Sequence, residues 1–209
     1  GVDIGSTTTK YALIDEASDI IHKRYVPTQG KPVVTTQKLL RHLHEDVGED
    51  IRIAGVATTG SGRNVVGDFL CADLIIDEIT AHARGAVEID PAVDTIFEIG
   101  GQDAKYISLQ AGTIVDFTMN KVCAAGTGSF LEEQAEKLGI SIKDDFGDQG
   151  LAASHPLDLG ERCTVFMESQ QNYYKQRGAA KKDLVAGLAY SVVRNYLTKV
   201  VEDRQIGNH

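Results

Sequence analysis

The sequence predicts an α/β fold built from two similar halves. Segments typical of strands and of helices alternate along the 209 residues. A group of three strands, with an acidic residue and glycine at its first turn, occurs twice. Apolar residues make up 42% of the chain, which is enough for a sizeable core. We expect the halves to span residues 1–92 and 93–209 and to face each other across a cleft, a common place for ligands.

The first half is predicted to contain five strands and two helices. Apolar or alternating runs indicate strands at 2–5, 11–15, 20–26, 51–57 and 74–77. Helical periodicity covers 35–47 and 78–89. Residues 6–10 form the first turn. Cys71 lies among apolar residues and is expected in the core.

The second half is predicted to contain three strands and three helices. The strands are 94–99, 104–110 and 112–119, with a hairpin turn at Ala111-Gly112. The helices are 127–138, 164–176 and 182–203. The last helix carries an apolar stripe with a spacing of four, formed by Leu184, Leu188, Val192, Tyr196 and Val200. The polar, glycine-rich stretch 144–155 is expected to be a mobile loop.

Charge and cysteine content narrow the possible classes of protein. The net charge is −9, with both signs mixed along the chain, which argues against a nucleic-acid surface as the main function. No apolar run reaches the length of a membrane span, and no signal peptide is visible. Three cysteines cannot form a complete set of internal disulfides, so a reducing compartment, the cytoplasm, is expected. The ends of the sequence suggest a piece of a longer polypeptide.

The first turn has the residues of a phosphate-binding loop. It reads Asp-Ile-Gly-Ser-Thr-Thr-Thr-Lys from Asp3 to Lys10. Gly5 lets the backbone turn tightly, and the residues after it offer N–H and hydroxyl donors to phosphate oxygens. Asp3 would hold magnesium through water, and Lys10 could neutralise phosphate charge.

The second turn, Glu-Ile-Gly-Gly-Gln-Asp from Glu98 to Asp103, repeats this logic with a carboxylate, two glycines and polar groups. A single glycine-rich hairpin is often only a turn, but two of them between paired strands indicate a nucleotide site. Neither matches the Walker pattern of a P-loop ATPase.

Two cysteines, Cys123 and Cys163, each precede a predicted helix. A helix N-terminus presents unpaired N–H groups and positive potential, which favour a thiolate or an anionic cluster. Two thiolates are too few for a four-iron four-sulfur cluster, but a two-fold dimer would supply the other two. The alternatives are ordinary buried cysteines, or a zinc site with His155 as a third ligand.

Together these segments resemble the actin, sugar-kinase and heat-shock-chaperone ATPase superfamily. Within it, the chain resembles the activators of 2-hydroxyacyl-CoA dehydratases, relatives of the benzoyl-CoA reductase ATPase subunits. The resemblance covers nearly the whole chain, and the matching segments are 5–10, 58–63, 77–85, 99–105, 117–120, 123–128 and 163–169.

The resemblance implies a duplicated ribonuclease-H-like, actin-like fold. Its two half-domains would hold mixed sheets around a nucleotide cleft, and the second would be incomplete at its C-terminus. Residues implied around ATP or ADP and magnesium are Asp3, Gly5, Ser6, Thr7, Thr8, Lys10, Glu98, Gly100, Gly101, Gln102 and Asp103. Gln102 and Asp103 are also implied in catalysis, together with Glu78. Glu78 would position the attacking water, or it could simply be an acidic residue that complements a helix dipole.

The resemblance also implies a redox function. A homodimer would hold one four-iron four-sulfur cluster through Cys123 and Cys163 of each subunit. ATP hydrolysis would drive one electron to a dehydratase-type iron–sulfur partner, supplied by a low-potential donor such as ferredoxin or flavodoxin. No nucleic-acid or membrane partner is implied. The chain departs from the family in having Glu98 where some relatives have Asp, and in ending before a second Gly-Gly strand that grips adenosine.

Two other functions fit the predicted fold. A small-metabolite or sugar kinase could use Asp103 as its general base, although it gives the two cysteines no role. A regulatory module could bind nucleotide without turning it over.

Overall fold

The computed structural model describes residues 1–48, 51–120, 127–160 and 164–209. They fall into two compact units, Gly1–Pro91 and Ala92–His209. In the part of the chain that is described, every helix is too short or too polar to cross a membrane.

The first unit contains a five-stranded mixed sheet. Its strands are β1 (Val2–Ile4), β2 (Thr8–Ile14), β3 (Ile20–Pro27), β4 (Ala57–Thr59) and β5 (Leu74–Ile75). The strand order is β3-β2-β1-β4-β5. The pairs β1–β2 and β2–β3 are antiparallel, whereas β1–β4 and β4–β5 are parallel. This is the mixed sheet that the sequence analysis expected in the first half.

Three helices complete the first unit: α1 (Pro32–Val47), α2 (Arg63–Leu70) and α3 (Glu78–Ile89). The core on one face of the sheet consists of Val2, Ile4, Tyr11, Leu39 and Val66. Because side chains alternate along a strand, the residues between these core positions on β1 and β2 point to the opposite face.

Two predictions for this unit were wrong, and one helix was missed. The strand predicted at 51–57 is absent over residues 51–56, and β4 begins only at Ala57. Directly before β4, the Val56 N–H donates to the Asp73 carboxylate (2.8 Å) and not to a strand carbonyl. Helix α2 was not predicted. Cys71 is exposed, because it ends α2 in a left-handed conformation (φ 50°) outside the core.

The second unit begins with an antiparallel three-stranded sheet. Its strands are β6 (Thr95–Ile99), β7 (Ala104–Gln110) and β8 (Thr113–Met119), in the order β6-β7-β8. Ala111 and Gly112 connect β7 to β8 with positive φ values of 49° and 74°, as the predicted two-residue hairpin turn requires. The described strands of this unit pair only in antiparallel fashion, so the mixed sheet lies in the first unit.

The described part of the second unit also contains several helices. They are α4 (Gly128–Leu138), α5 (Phe146–Leu151), α6 (Thr164–Gln176) and α7 (Lys181–Tyr196), followed by a π-helical segment, Leu197–Val201. The predicted apolar stripe of the last helix is confirmed, because Leu184, Leu188, Val192, Tyr196 and Val200 are all buried. Tyr196 and Val200 pack with Tyr106 of β7, which joins the sheet to the helices.

The predicted loop over 144–155 is wrong. Helix α5 lies within it, and Phe146 is buried in the helical core beside Val185 and Leu188. One aromatic residue thus anchors a segment whose other residues are mostly polar.

A side-chain cap fixes the start of α3. The Asp77 carboxylate accepts hydrogen bonds from the Thr80 N–H (2.9 Å) and the Thr80 hydroxyl (2.7 Å). These bonds favour the ionised form and lower the pKa of Asp77. The predicted helix therefore begins where the sequence analysis placed it, at Glu78.

Replacing Asp77 with alanine is expected to lower the free energy of unfolding by about 1 kcal/mol at pH 7, because the cap is lost. The folded-state pKa is depressed, so the ionised cap stabilises above the unfolded-state pKa of about 3.9, and this contribution disappears as pH falls through the folded-state value. Urea denaturation from pH 7 to pH 3 measures the effect. Asp77→Asn keeps an acceptor oxygen but has no charge to titrate, so this position should no longer contribute to the pH dependence of stability. A deficit in Asp77→Ala that does not change with pH would contradict the assignment.

Candidate functional site

The two glycine turns have the same backbone geometry. The Gly5 N–H donates to the Thr8 carbonyl at 2.8 Å, and the Gly100 N–H donates to the Asp103 carbonyl at 2.8 Å. A Cβ on either glycine would lie 2.9 Å from that carbonyl oxygen. Each residue of the second turn lies 95 positions after its counterpart in the first, from Asp3 and Glu98 to Lys10 and Lys105.

An acidic residue faces a lysine across each hairpin. Asp3 pairs in register with Lys10, and its Oδ2 lies 2.9 Å from the lysine Nζ. Glu98 pairs in register with Lys105, and its Oε2 lies 2.8 Å from the lysine Nζ. The turn at 6–10 was therefore predicted too long, because Lys10 belongs to β2.

The two ion pairs differ in burial. The Asp3 and Lys10 side chains are 28% and 39% exposed, whereas those of Glu98 and Lys105 are 18% and 5% exposed. Asp3, Lys10 and Tyr25 also line an open pocket of about 1020 Å³ in the first unit. The first pair is thus accessible to a ligand, and the second is largely enclosed by protein.

Thr28 holds the first turn in place. Its hydroxyl donates to the Gly5 carbonyl (2.7 Å), and its N–H donates to the Thr7 carbonyl (2.8 Å). The hydroxyl also lies 2.9 Å from that of the buried Thr9. Ser6 stays exposed at the tip of the turn.

The loop between β4 and α2 packs against the end of β1. The Gly62 N–H donates to the Ile4 carbonyl at 2.9 Å. Gly60 has φ +86°, and a Cβ there would lie 2.4 Å from Oδ1 of Asp3. Only glycine permits this approach, so the Asp3 carboxylate is confined between Gly60 and Lys10.

Asn120 holds the second turn. Its side-chain oxygen accepts from the Ala104 N–H (2.8 Å), and its backbone N–H donates to the Ala104 carbonyl (3.0 Å). The side-chain amide also reaches the Gln102 carbonyl at 3.4 Å. The strand that follows the turn is thereby tied to the end of β8.

Helix α4 docks on the second turn through its first residues. The Gly128 N–H donates to the Gly100 carbonyl and the Ser129 N–H to the Gly101 carbonyl, both at 2.8 Å. A Cβ on Gly128 would lie 3.2 Å from the Gly100 oxygen. The first two N–H groups of α4 are therefore bonded to this turn. The expectation for the Cys123 thiolate falls on a residue outside the described ranges.

The comparison with known proteins decides the family. The sequence profile of the BadF/BadG/BcrA/BcrD ATPase family matches residues 1–205. The chain belongs to this family. The resemblance deduced from the motifs is therefore confirmed.

Characterised members of the family are similar in sequence and in fold. The (R)-2-hydroxyglutaryl-CoA dehydratase activating ATPase of Acidaminococcus fermentans is 36% identical over 196 residues, which cover 92% of this chain and 73% of the relative. The solved structure of component A of that dehydratase superposes with a TM-score of 0.86 at 33% identity, covering 100% of this chain and 79% of the other.

A third relative is the activator of the 2-hydroxyisocaproyl-CoA dehydratase from Clostridium difficile, solved with bound ADPNP. It superposes with a TM-score of 0.90 at 32% identity, covering 100% of this chain and 76% of the other. The predicted fold class, the duplicated actin-like ATPase fold, is thereby confirmed.

The remaining family site residues lie as follows. Gln102 and Asp103 stand in the second turn, and Gln102 is exposed. Glu78 is the first residue of α3, where its charge complements the helix dipole. Its catalytic role stays a prediction.

The cluster-ligand prediction falls on residues outside the described ranges, because Cys123 and Cys163 lie in segments 121–126 and 161–163. Helix α6 begins at Thr164, directly after Cys163 in the sequence. Among the described side chains, no group of three or more His, Cys, Asp or Glu could hold a metal ion.

Three supporting residues were not predicted as site residues: Thr28, Asn120 and Lys105. Lys105 and Asn120 do lie in the family-matching segments 99–105 and 117–120. The 95-residue shift between the turns would have identified Lys105, because it maps Lys10 onto it. Thr28 gives no comparable signal, since its role depends on tertiary contacts with a turn distant in sequence. Asn120 was visible only as part of segment 117–120, without an indication of its contact with the turn.

Replacing Gly60 with alanine should destabilise the first unit by about 1–3 kcal/mol, because a Cβ would require a strained left-handed backbone and would collide with Asp3. The matched control is Gly85→Ala in α3, where a Cβ would have no atom within 4 Å and φ is not positive. It should be neutral or stabilising by up to about 1 kcal/mol. Urea denaturation of both variants measures the difference. If both variants lose the same free energy of unfolding, the close approach of the β4–α2 loop to β1 does not require glycine at position 60.

Proposed function

We propose that this protein hydrolyses ATP and donates single electrons, through an iron–sulfur cluster, to a 2-hydroxyacyl-CoA dehydratase-type or related iron–sulfur partner. The observation that carries the proposal is the repeated turn, with its carboxylate, its glycine and its lysine at a constant shift of 95 residues, in a chain of an ATPase family. The named activators among its relatives supply the class of partner.

The first turn is proposed to bind phosphate and magnesium. Ser6, Thr7 and Thr8 would offer N–H and hydroxyl donors to phosphate oxygens, and the bonds of Thr28 to the Gly5 and Thr7 carbonyls support this by fixing the backbone of the turn. The Asp3 carboxylate is confined and partly exposed, which suits a hard cation that keeps part of its water shell. Lys10 adds a positive charge beside it.

The second turn is proposed to act in the same way on the phosphates. Gly100, Gly101, Gln102 and Asp103 supply backbone and side-chain groups, and Glu98 supplies the carboxylate. Gln102 and Asp103 are the candidates for orienting the attacking water, with Glu78 as a further candidate. The bonds from Asn120 keep this turn rigid, which favours a preorganised site.

Cys123 and Cys163 are proposed to hold the cluster. A four-iron four-sulfur cluster supplies one-electron chemistry at low potential and takes four thiolates, so two copies of this chain would share one. The support is the two sequence motifs, together with the start of α6 directly after Cys163. A homodimer follows from this ligand count, and ferredoxin or flavodoxin is the class of electron donor proposed.

A physical connection between the second turn and the Cys123 segment supports coupling. Helix α4 follows the 121–126 segment, and its first two N–H groups bond to the Gly100 and Gly101 carbonyls. A displacement of the turn therefore displaces the start of α4. We propose that nucleotide-dependent motion reaches the cysteine segment by this route.

Asp3→Asn should lower the ATP turnover number by about 100-fold or more, because the carboxylate that orients magnesium loses its charge. Phosphate release from ATP, measured at saturating magnesium, tests this. The control is Asp19→Asn, a change on the exposed turn before β3, which should leave the rate unchanged. Wild-type turnover in the Asp3 variant would contradict the nucleotide assignment.

Cys123→Ser and Cys163→Ser should each abolish cluster binding, because two of four thiolates are lost in the dimer. Protein purified without oxygen is analysed for iron, sulfide and visible absorbance. The expected content is about four irons per wild-type dimer and nearly none in either variant. Cys71→Ser, at an exposed cysteine, is the matched control and should keep the full iron complement. Full iron content in the Cys123 variant would rule out the cluster assignment.

A further inference from the structure

We propose that Lys105 is a positioning residue that holds the Glu98 carboxylate in place over the second turn. The proposal rests on the proposed function, since it assigns the carboxylate a task in binding magnesium nucleotide. It concerns a residue that acts through Glu98 and does not itself touch the nucleotide.

Both oxygens of Glu98 have defined positions. Oε2 lies 2.8 Å from Nζ of Lys105, on the neighbouring strand. Oε1 lies 2.8 Å from the place that a Cβ on Gly100 would occupy. The carboxylate therefore folds back over the turn, and Lys105 holds one oxygen while the other lies beside Gly100.

Lys105 is too enclosed to serve a ligand directly. Its side chain is 5% exposed. Its carbonyl accepts a hydrogen bond from the Tyr196 hydroxyl at 2.7 Å, and its neighbours Ala104 and Tyr106 are fully buried. The backbone and the ammonium group are thus both fixed by the surrounding protein.

The first hairpin shows the contrast. Lys10 is 39% exposed, and its ammonium lies 5.7 Å from the centre of the Tyr25 ring, at the rim of an open pocket. Lys10 can move towards a phosphate, whereas Lys105 cannot. The same residue type therefore has two tasks: a mobile charge for the ligand in the first hairpin and a fixed support for a carboxylate in the second.

Without the Lys105 ammonium, the Glu98 carboxylate loses the hydrogen bond that fixes its orientation. A largely buried carboxylate without its charge partner is costly, so it is expected to turn towards water and away from Gly100. Groups that orient a metal-binding residue typically change metal affinity by about 10- to 100-fold when they are lost. The effect should appear in the magnesium-dependent part of nucleotide binding.

The test measures ADP affinity of Lys105→Met by calorimetry, once with Mg²⁺ and once with EDTA. The ratio of the dissociation constant in EDTA to that in Mg²⁺ should fall by about 10-fold or more relative to wild type. The dissociation constant in EDTA itself should change little. As a spectroscopic readout, Mn²⁺ with ADP should show a correspondingly smaller bound fraction by electron paramagnetic resonance. Lys105→Arg, which keeps the charge, should recover part of the ratio.

Lys137→Met is the matched control. Lys137 pairs with Glu133 and Glu168 at 2.7 and 2.8 Å on the helical part of the same unit, so its loss should leave the ratio unchanged. Thermal unfolding shows whether each variant is folded. If Lys105→Met does not fold, Lys105→Gln, which removes the positive charge beside Glu98, replaces it. The ratio should then fall in the same direction, and an unchanged ratio in folded Lys105→Gln overturns the positioning role.

The outcomes separate the two proposals. An unchanged ratio in folded Lys105→Met, with a reduced ratio in Glu98→Gln, overturns the positioning role alone. An unchanged ratio in Glu98→Gln removes that carboxylate from the site and overturns the Lys105 proposal, while the Asp3 and cysteine variants still decide the proposed function. No ADP binding by the wild-type chain overturns both.

Discussion

The hydrogen bond from a glycine N–H to the carbonyl three residues later is the constraint on which both candidate turns depend. It closes the β1–β2 and β6–β7 hairpins so tightly that neither Gly5 nor Gly100 has room for a Cβ. Closure at this point sets the strand register, and the register places a carboxylate opposite a lysine in each unit. The chemistry proposed for the site thus follows from backbone geometry.

The two hairpins have the same closure but different surroundings. The first borders an open pocket and is braced by Thr28 and the β4–α2 loop. The second is braced by Asn120, by the buried Lys105 and by the first turn of α4. A duplicated element has therefore kept its backbone and changed its support, so one copy is accessible and the other is firmly held.

Much of this fold could be predicted from the sequence, because β1, β3, β6, β7 and β8 and most helices have clear periodicity or apolar runs. The failures have physical causes. Residues 51–56 are apolar enough for a strand, but at Val56, directly before β4, the backbone N–H is bonded to the Asp73 side chain. Helix α5 depends on one buried aromatic residue, Phe146, in a polar segment. Periodicity carries no information on either feature. The two turns could be predicted because their glycines and carboxylates lie within a few residues of each other. The supporting contacts could not, because they join residues far apart in sequence.

The attachment of α4 to Gly100 and Gly101 also has a mechanical consequence. The helix has 11 residues and is rigid, so it extends about 16 Å from its anchored end. A tilt of about 5° at Gly128 would sweep its far end through roughly 1.4 Å, given that length. Since Leu138, the last residue of α4, packs in the helical core, a change too small to break a hydrogen bond at the hairpin becomes a lateral shift in that core comparable to a carbon–carbon bond.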